Sequence, residues 1–483
     1  MKMIELKEIR AIAKELLEYA ERKSEVKEAE AYVSANNLNV YRIAYHTDIP
    51  SNGLEEPKSE EDFGLSLRIM FKSGKYGMGV SDSDFSRKGF EEAYSKAFES
   101  MVLDNDFKGF AKGKKGKPSS VYADKKILKL DEEKAMAKSY ELITGAFSEM
   151  KKSKFKEGFN ITGEMDALAA RMAVENSNGI SAAEENTECF STLTTDLEVN
   201  PHASGTSFES STHLAKLDCE GCAAESAEKS LSMQNPKSLD SGEYKVVLSQ
   251  IAVAELLYSR FDIEIPSLEY NANPFKGREG QQIFSEKLTI EDNPLLNGLI
   301  CSKKYTDEGL PTKKNTIVKN GVFKNYISNN YYSGKKPEWK KYGQHNGFRG
   351  GTGRNYGSDV SVKGTNYTIQ KGNHSHEELL GEVKDGIYLG RMWYTYPVNG
   401  YSSFDFTSTI RGDSFIIKNG EISSALTPNT FRILDSFESV FKDVLALGKQ
   451  AKAARSWGQD ALVLTPEIAV GKMKLKSISK GIY

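Results

Sequence analysis

The chain has 483 residues, with 65 Lys or Arg against 67 Asp or Glu, so its formal net charge is 65 − 67 = −2. Hydrophobic residues make up 39% and charged residues 27%, which is typical of a soluble globular protein and excludes a disordered chain. The balanced charge argues against a nucleic-acid-binding protein, and no apolar run approaches the ~18 residues that a membrane span needs.

A helix and a strand pair are predicted at the start of the chain. Ile9, Leu16 and Ala20 fall on one helical stripe between Lys and Glu residues, and this stretch lacks the apolar core of a signal peptide. Because four cysteines are too few for a disulfide framework, we expect a cytoplasmic protein. Alternation over residues 64–80 predicts a hairpin, and a cap near Asp84 or Ser86 begins a second helix.

Two polar stretches suggest where the chain divides. Residues 107–120 are rich in Lys and Gly without an apolar period, which predicts a linker or an exposed loop. Residues 235–242 combine Pro and Gly with polar residues between a predicted helix and a new strand. We therefore expect an N-terminal α+β domain over 1–117, a central α+β segment over 118–235 and a β-rich C-terminal domain over 236–483.

Elements of the later segments follow from caps and turns. A long helix is predicted from about Asp131, and the pairs Asn320-Gly321 and Asn419-Gly420 predict two-residue hairpins because Asn-Gly accepts positive φ at both positions. Ser375, as a capping box with Glu378, predicts a helix start, and apolar spacing predicts another helix over about 435–454. The fold class expected is α+β, with a C-terminal domain dominated by antiparallel sheet and few helices.

Two clusters could bind a metal, and each has a structural alternative. Cys219-x-x-Cys222 suits a redox pair or half a zinc site, but both residues also fit the first turn of an alanine-rich helix. His374 and His376 flank the predicted capping box, where they equally suit a solvated helix start. The sequence contains neither a Gly-x-Ser-x-Gly elbow nor a His-Glu-x-x-His motif.

The segment 343–357 holds six glycines together with Arg349, Arg354 and Tyr356. It is not a P-loop, because no Gly-Lys-Ser/Thr follows. A flexible loop is the simplest interpretation, but arginine forks among glycines suit the binding of a carboxylate or a peptide backbone. We therefore take Arg349, Arg354 and Tyr356 as candidate substrate-binding residues.

The order of these features resembles that of the TldD/TldE (PmbA) family, once called modulators of DNA gyrase and known as peptidases. The resemblance covers nearly the whole chain and depends on the succession of motifs rather than on any one of them. The segments that carry it are 64–77, 174–179, 241–257, 307–312 with the Asn320-Gly321 turn, the loop ending at Arg354, 377–388 and 416–422.

In TldD-type members, zinc is held by a His-Glu-x-x-x-His helix after a Leu-Leu pair and by a cysteine near the C-terminus. Here Leu256-Leu257 is followed by Tyr258 and Ser259, and we take Asp262 as the residue at the position of the second histidine. No cysteine follows Cys301. Neutral hydroxyls are poor zinc ligands, so the resemblance is to the TldE type, without metal in this chain.

The resemblance implies a subunit that pairs with a zinc-bearing TldD-like chain, which acts on peptides or unfolded polypeptides. Two alternatives stay open. One is a peptide-binding scaffold without proteolytic activity. The other is a stand-alone hydrolase with unfamiliar ligands drawn from His374, His376 and the Cys219–Cys222 pair.

Overall fold

The computed structural model describes residues 4–49, 53–456 and 458–478. Its helices are α1 Leu6–Glu21, α2 Arg87–Glu99, α3 Lys125–Leu128, α4 Glu132–Ser153, α5 Cys219–Ser232, α6 Gln250–Arg260, α7 Pro266–Glu269, α8 Asn330–Lys335, α9 His376–Val383 and α10 Phe437–Lys442. The strands of the N-terminal half are β1 Val26–His46, β2 Gly53–Leu54, β3 Lys58–Phe71, β4 Lys75–Asp82, β5 Val102–Leu103, β6 Ser119–Tyr122, β7 Phe159–Asn176, β8 Ser181–Leu197 and β9 Ala203–Ser211.

The strands of the C-terminal half are shorter, except for the last two. They are β10 Gly242–Leu248, β11 Ile290–Asp292, β12 Asn315–Lys319, β13 Val322–Phe323, β14 Gly347–Arg349, β15 Val360–Val362, β16 Asn366–Ile369, β17 Gly386–Leu389, β18 Met392–Pro397, β19 Asp405–Ile410, β20 Phe415–Lys418, β21 Glu421–Ala425, β22 Phe431–Ser436, β23 Val444–Ala454 and β24 Leu462–Ser477.

The first sheet has the order β5-β4-β3-β1-β7-β8-β6, with β2 paired to β1 and β9 paired to β8. Its strands are antiparallel except for the β6–β8 pair. Strand β1 joins β3 to β7, so the segments 1–117 and 118–235 share one sheet. Helices α1, α2, α4 and α5 cover one face of the sheet, and the other face is turned to the C-terminal half.

The second sheet has the order β13-β12-β11-β16-β24-β10-β17-β20-β21, and the long strand β24 also pairs with β22 and β23. The expected C-terminal domain of antiparallel strands needs a correction, because β10 pairs parallel with β17 and β16 pairs parallel with β24. The sheet is therefore mixed. The α+β class is confirmed.

The two predicted Asn-Gly hairpins are confirmed. Asn320 and Gly321 have φ of 47° and 76° between β12 and β13, and Asn419 and Gly420 have φ of 53° and 83° between β20 and β21. Both central positions therefore adopt the left-handed conformation that this type of turn requires.

The helix predicted over 435–454 is wrong for most of its length. Helix α10 ends at Lys442, and Val444–Ala454 forms strand β23, which pairs antiparallel with β24. The helical spacing of Phe437, Phe441 and Val444 stops there, and pairing with the next strand, β24, overrides it.

The stretch 107–120 also differs from the expected exposed loop. Phe107, Phe110 and Ala111 are buried, and the amide of Asn176 donates to the Ala111 carbonyl at 2.9 Å. The Lys and Gly residues therefore do not predict the burial of this segment, because its apolar residues pack into the fold.

Candidate functional site

A cavity of about 710 Å³ lies between the first sheet and loops of the C-terminal half. We call the sheet side the floor, which includes Glu164, Asp166, Glu188, Phe190, Thr192 and Phe208. We call the opposite side the roof, which includes Glu255, Cys301, Lys303, Arg391, Arg455 and Asp460. A concave site of this size, with polar groups on both sides, is the leading candidate for ligand binding.

Strand periodicity explains why polar side chains line the floor. On β8, Cys189 and Leu193 point to the helices, while Glu188 and Phe190 point to the cavity. On β7 the cavity side carries Glu164 and Asp166. Because side chains alternate along a strand, one strand supplies both the hydrophobic core and the cavity wall.

The floor carries carboxyl groups whose charge is only weakly compensated. Burial, and next the nearby Glu164, raise the pKa of Asp166 to about 7, although Arg42 and Arg455 act in the opposite direction. Burial also raises the pKa of Glu188, against the influence of Lys303 and Arg455. These carboxyl groups therefore favour a nearby cation more than exposed ones would.

The roof carries most of the positive charge. The Lys303 ammonium lies 5.1 Å from the ring centroid of Phe348, and the Arg455 Nε donates to the Gln459 carbonyl at 2.7 Å. The Arg391 Nε is 3.7 Å from a carboxylate oxygen of Asp413. Three basic side chains therefore line the roof, together with the carboxylates of Glu255 and Asp460.

Cys301 is the cysteine that lines this cavity. Its Sγ donates to the Asp460 carbonyl at 3.3 Å, and burial raises the pKa of the thiol to about 11. A thiol that stays protonated at neutral pH is a poor nucleophile. The partly buried Cys301 thiol is therefore less reactive than an exposed cysteine.

Arg354, one of the predicted substrate-binding residues, lies in the interface between the two halves. Its side chain is 1% exposed, and its guanidinium pairs with Glu184 at 2.6 Å and with Asp307 at 2.7 Å. It also donates to Asn186 Oδ1 at 3.0 Å. A substrate carboxylate would have to displace these partners, so the contacts of Arg354 are those of a structural residue.

Arg349 and Tyr356 have different surroundings. Arg349 borders the cavity, but its buried guanidinium stacks over the Tyr32 ring at 4.2 Å and donates to the Ser358 carbonyl at 2.5 Å. Tyr356 is 8% exposed, and its ring covers Gly64, where an added Cβ would come within 2.5 Å of it. Substrate contact through either side chain stays a prediction.

The residues at the position of the family zinc motif lie at the end of α6. Tyr258 is half exposed, and its hydroxyl would lie 3.4 Å from a Cβ on Gly458, which lines the cavity. The Ser259 hydroxyl donates to the Leu256 carbonyl at 3.3 Å. Asp262 pairs with the buried Arg260 at 3.4 Å.

The residue expected at the second histidine position of this motif needs a correction. His-Glu-x-x-x-His spans six positions, so a motif that begins at Tyr258 ends at Ile263 rather than at Asp262. Ile263 is fully buried in the C-terminal core. A phenol, a hydroxyl that is bonded to its own helix and an aliphatic side chain do not fit zinc, which takes thiolate, imidazole or carboxylate ligands.

The other candidate ligands are far apart in the fold. Cys219 and Cys222 are buried in the first turn of α5, as the structural alternative predicted. Ser375 caps α9 in a complete capping box, and the His376 Nδ1 is 2.9 Å from Glu467. Among residues 4–49, 53–456 and 458–478, no three His, Cys, Asp or Glu side chains are placed to hold a metal ion.

The floor residues were not identified as candidate site residues in the sequence analysis. The signal was present, because Glu164 and Asp166 are two positions apart in a strand whose intervening residues, such as Met165, are buried.

In the described part of the chain, no helix has both the length and the apolarity to cross a membrane.

Comparison with known proteins gives concordant matches. A sequence profile described as the PmbA/TldA metallopeptidase C-terminal domain matches residues 241–477. A metalloprotease of Methanocaldococcus jannaschii is 25% identical over 434 residues, which cover 83% of this chain and 88% of the relative. A metalloprotease of Archaeoglobus fulgidus is 30% identical over 206 residues, 40% of this chain and 44% of the relative.

A solved structure extends the likeness to the fold of nearly the whole chain. The crystal structure of TldE from Thermococcus kodakarensis superposes on it with a TM-score of 0.82 and 19% identity. The match covers 96% of this chain and 100% of that one. At this level of identity the match shows a shared fold.

Proposed function

The chain belongs to the PmbA/TldD metallopeptidase family, and on that premise we propose that it is the TldE-type subunit of a two-chain zinc peptidase. In this proposal the zinc is on a TldD-like partner, and peptides or unfolded polypeptides in the cytosol are the substrates. This chain supplies one wall of the space in which the peptide lies. The fold of the TldE structure and the metalloprotease relatives support the proposal.

The proposal depends most on which residues occupy the positions of the zinc motif. Tyr258 and Ser259 stand where the motif has His and Glu, and Ile263 stands where it has the second His. Ser259 bonds to its own helix, and Ile263 packs in the core. A peptidase centre at this helix would lack both the metal ligands and the carboxylate that serves as general base.

The cavity is the part of this chain that we propose to contact the peptide. It is lined by side chains of both charges together with aromatic rings, which suits a ligand with amides and varied side chains. Arg349 borders the cavity and remains the candidate contact within the Gly-Arg loop. Arg354 and Tyr356 have the role of fixing that loop against the first sheet.

Reconstitution tests the proposal. The chain is mixed with zinc-bearing family members that carry His-Glu-x-x-x-His, and cleavage of an unfolded peptide is followed by mass spectrometry with and without a chelator. We expect cleavage to require both chains and to stop on chelation. Because the proposed role needs the partner, this chain alone gives no cleavage.

Two results would replace the proposal. Peptide binding without cleavage in the presence of every zinc-bearing partner indicates the scaffold function. Cleavage by this chain alone, lost on His376→Ala or Cys222→Ser, indicates a hydrolase with its own ligands. The placement of His376 on α9 and Cys222 under β8 does not favour that second function.

A further inference from the structure

Five charged side chains of the cavity form no ion pair within the part of the chain that the structure describes. Within the described residues, Glu164, Asp166 and Glu188 on the floor form no hydrogen bond or ion pair, and the buried Oδ1 of Asp166 has no partner. On the roof, Lys303 and Arg455 form no ion pair with any described carboxylate. Burial raises the pKa of Glu188 and the charges of Lys303 and Arg455 oppose that rise, but neither side chain forms an ion pair with it.

All five residues are partly buried, and charge that is partly withdrawn from water is stabilised by a partner of opposite charge. The same strand provides the contrast: Glu184 on β8, four residues before Glu188, pairs with Arg354 at 2.6 Å and accepts two backbone N–H groups. The fold therefore does pair its carboxylates where the two halves touch. Glu164, Asp166 and Glu188 at the cavity have no such partner among the described residues.

We propose that the cavity binds a peptide through two charged groups at once, a cation on the floor and a carboxylate on the roof. Glu164, Asp166 and Glu188 take the ammonium or guanidinium group, and Lys303 and Arg455 take the carboxylate. The inference rests on the proposed peptide-binding role and names the class of peptide. The peptide carries a positive group and a carboxylate, either at its free termini or on its side chains.

The floor has further features that suit a cation. The rings of Phe190 and Phe208 stack with centroids 6.0 Å apart beside the carboxylates, and aromatic faces attract ammonium and guanidinium groups. Arg42 on β1 is the register partner of Glu164, whereas Glu188 lies on the neighbouring strand β8. An arriving cation would meet a negative floor with rings beside it.

The roof suits a carboxylate for a matching reason. Lys303 is a point charge and Arg455 presents a planar fork, and both line the same cavity as the acids without an ion pair to them among the described residues. A peptide that places a carboxylate between them gives each its missing counter-ion. Each terminal contact then replaces water by a charge-assisted hydrogen bond.

The test uses the full-length chain and four forms of one short peptide with neutral side chains: free, N-acetylated, C-amidated and capped at both ends. Affinities are measured by isothermal titration calorimetry. We expect each cap to weaken binding by roughly tenfold. A fifth peptide, capped at both ends but with one internal Lys and one internal Glu, separates the two sources of charge.

If the side chains supply the charges, the fifth peptide binds more tightly than the doubly capped neutral one. If only the termini fit, the fifth peptide binds as weakly as the capped one. Either result supports the proposal, which requires both charges from one of these sources. Equal affinity for all five peptides overturns it.

Variants assign the two contacts. Glu188→Gln should reduce the effect of N-acetylation but not of C-amidation, and Lys303→Gln should do the reverse. Glu421→Gln and Lys418→Gln, on the exposed β20–β21 hairpin, are the matched controls and should change neither effect. Thermal unfolding of each variant shows that it is folded, and a variant that loses both effects equally contradicts the assignment.

The proposed function can be judged separately. If cleavage with a zinc-bearing partner occurs but the charge of the peptide makes no difference to binding, the charge inference fails and the subunit role stands. If the chain neither supports cleavage nor binds any of the five peptides, both fail.

Discussion

Strand β8 passes through two regions that use the same residue types for different purposes. At Glu184 and Asn186 its polar side chains meet Arg354, and the buried atoms are bonded across the two halves. Two residues further on, Glu188 faces an open cavity and has no hydrogen-bond or ion-pair partner among the described residues. Along this strand, a carboxylate is structural where the halves touch and available to a ligand where they separate.

Removal of Arg354 should have the largest effect. In Arg354→Ala, Glu184 and Asp307 stay buried without their counter-ion, so we expect the free energy of unfolding to fall by about 3–5 kcal/mol. Urea unfolding followed by circular dichroism measures it. Arg455→Ala, at the cavity, should cost less than about 1 kcal/mol. Equal losses of unfolding free energy in the two variants would contradict the proposed difference between the two regions.

Gly353 tests how the loop reaches the interface. It has a φ of 64°, and an added Cβ would lie 2.6 Å from Asn36 Oδ1, which accepts from the Arg354 N–H at 3.0 Å. We expect Gly353→Ala to lower the free energy of unfolding by about 2 kcal/mol. Gly350→Ala is the control, since its Cβ would lie 3.6 Å from the nearest atom, and it should be nearly neutral.

The pH dependence of stability probes the cavity side. The pKa of Asp166 is raised to about 7 in the folded chain, so folding retains a proton that the unfolded chain releases near pH 4. This stabilising contribution is present at low pH and is lost as the pH rises from about 4 to 7. Asp166→Asn should therefore gain stability relative to the wild type between pH 4 and 8. Parallel stability curves would contradict this expectation.

The smallest effect is expected at His376, which is outside both regions. Its hydrogen bond to Glu467 raises the pKa of the imidazole, and its side chain is 43% exposed. His376→Gln should cost about 0.5 kcal/mol at pH 5.5, and the difference should vanish as the pH rises through the folded pKa. Loss of peptide cleavage by the reconstituted pair on the same substitution would instead indicate a catalytic role.

Local features could be predicted from the sequence where the cause is local. The caps at Asp131 and Ser375 begin α4 and α9, and both Asn-Gly pairs form turns. These features depend on a few neighbouring residues. Helix α4 shows the limit, because its small Ala135 and Ala146 are buried while the larger Tyr140 is half exposed.

Features that depend on strand pairing or on contacts between distant segments could not be predicted. The helical spacing near Val444 is overridden by the pairing of β23 with β24. Arg349 and Arg354 look alike among glycines, yet which one meets buried carboxylates depends on where β8 and the Asp307 turn come together. The sequence identifies the loop as important but not the direction of its side chains.

The most direct test of a subunit without its own zinc site is the metal content of the isolated chain. The purified chain is loaded with zinc, dialysed and analysed by inductively coupled plasma mass spectrometry, with a His-Glu-x-x-x-His family member as the positive control. We predict far less than one zinc per chain. One tightly held zinc per chain, lost on Asp262→Ala, would contradict the proposed role.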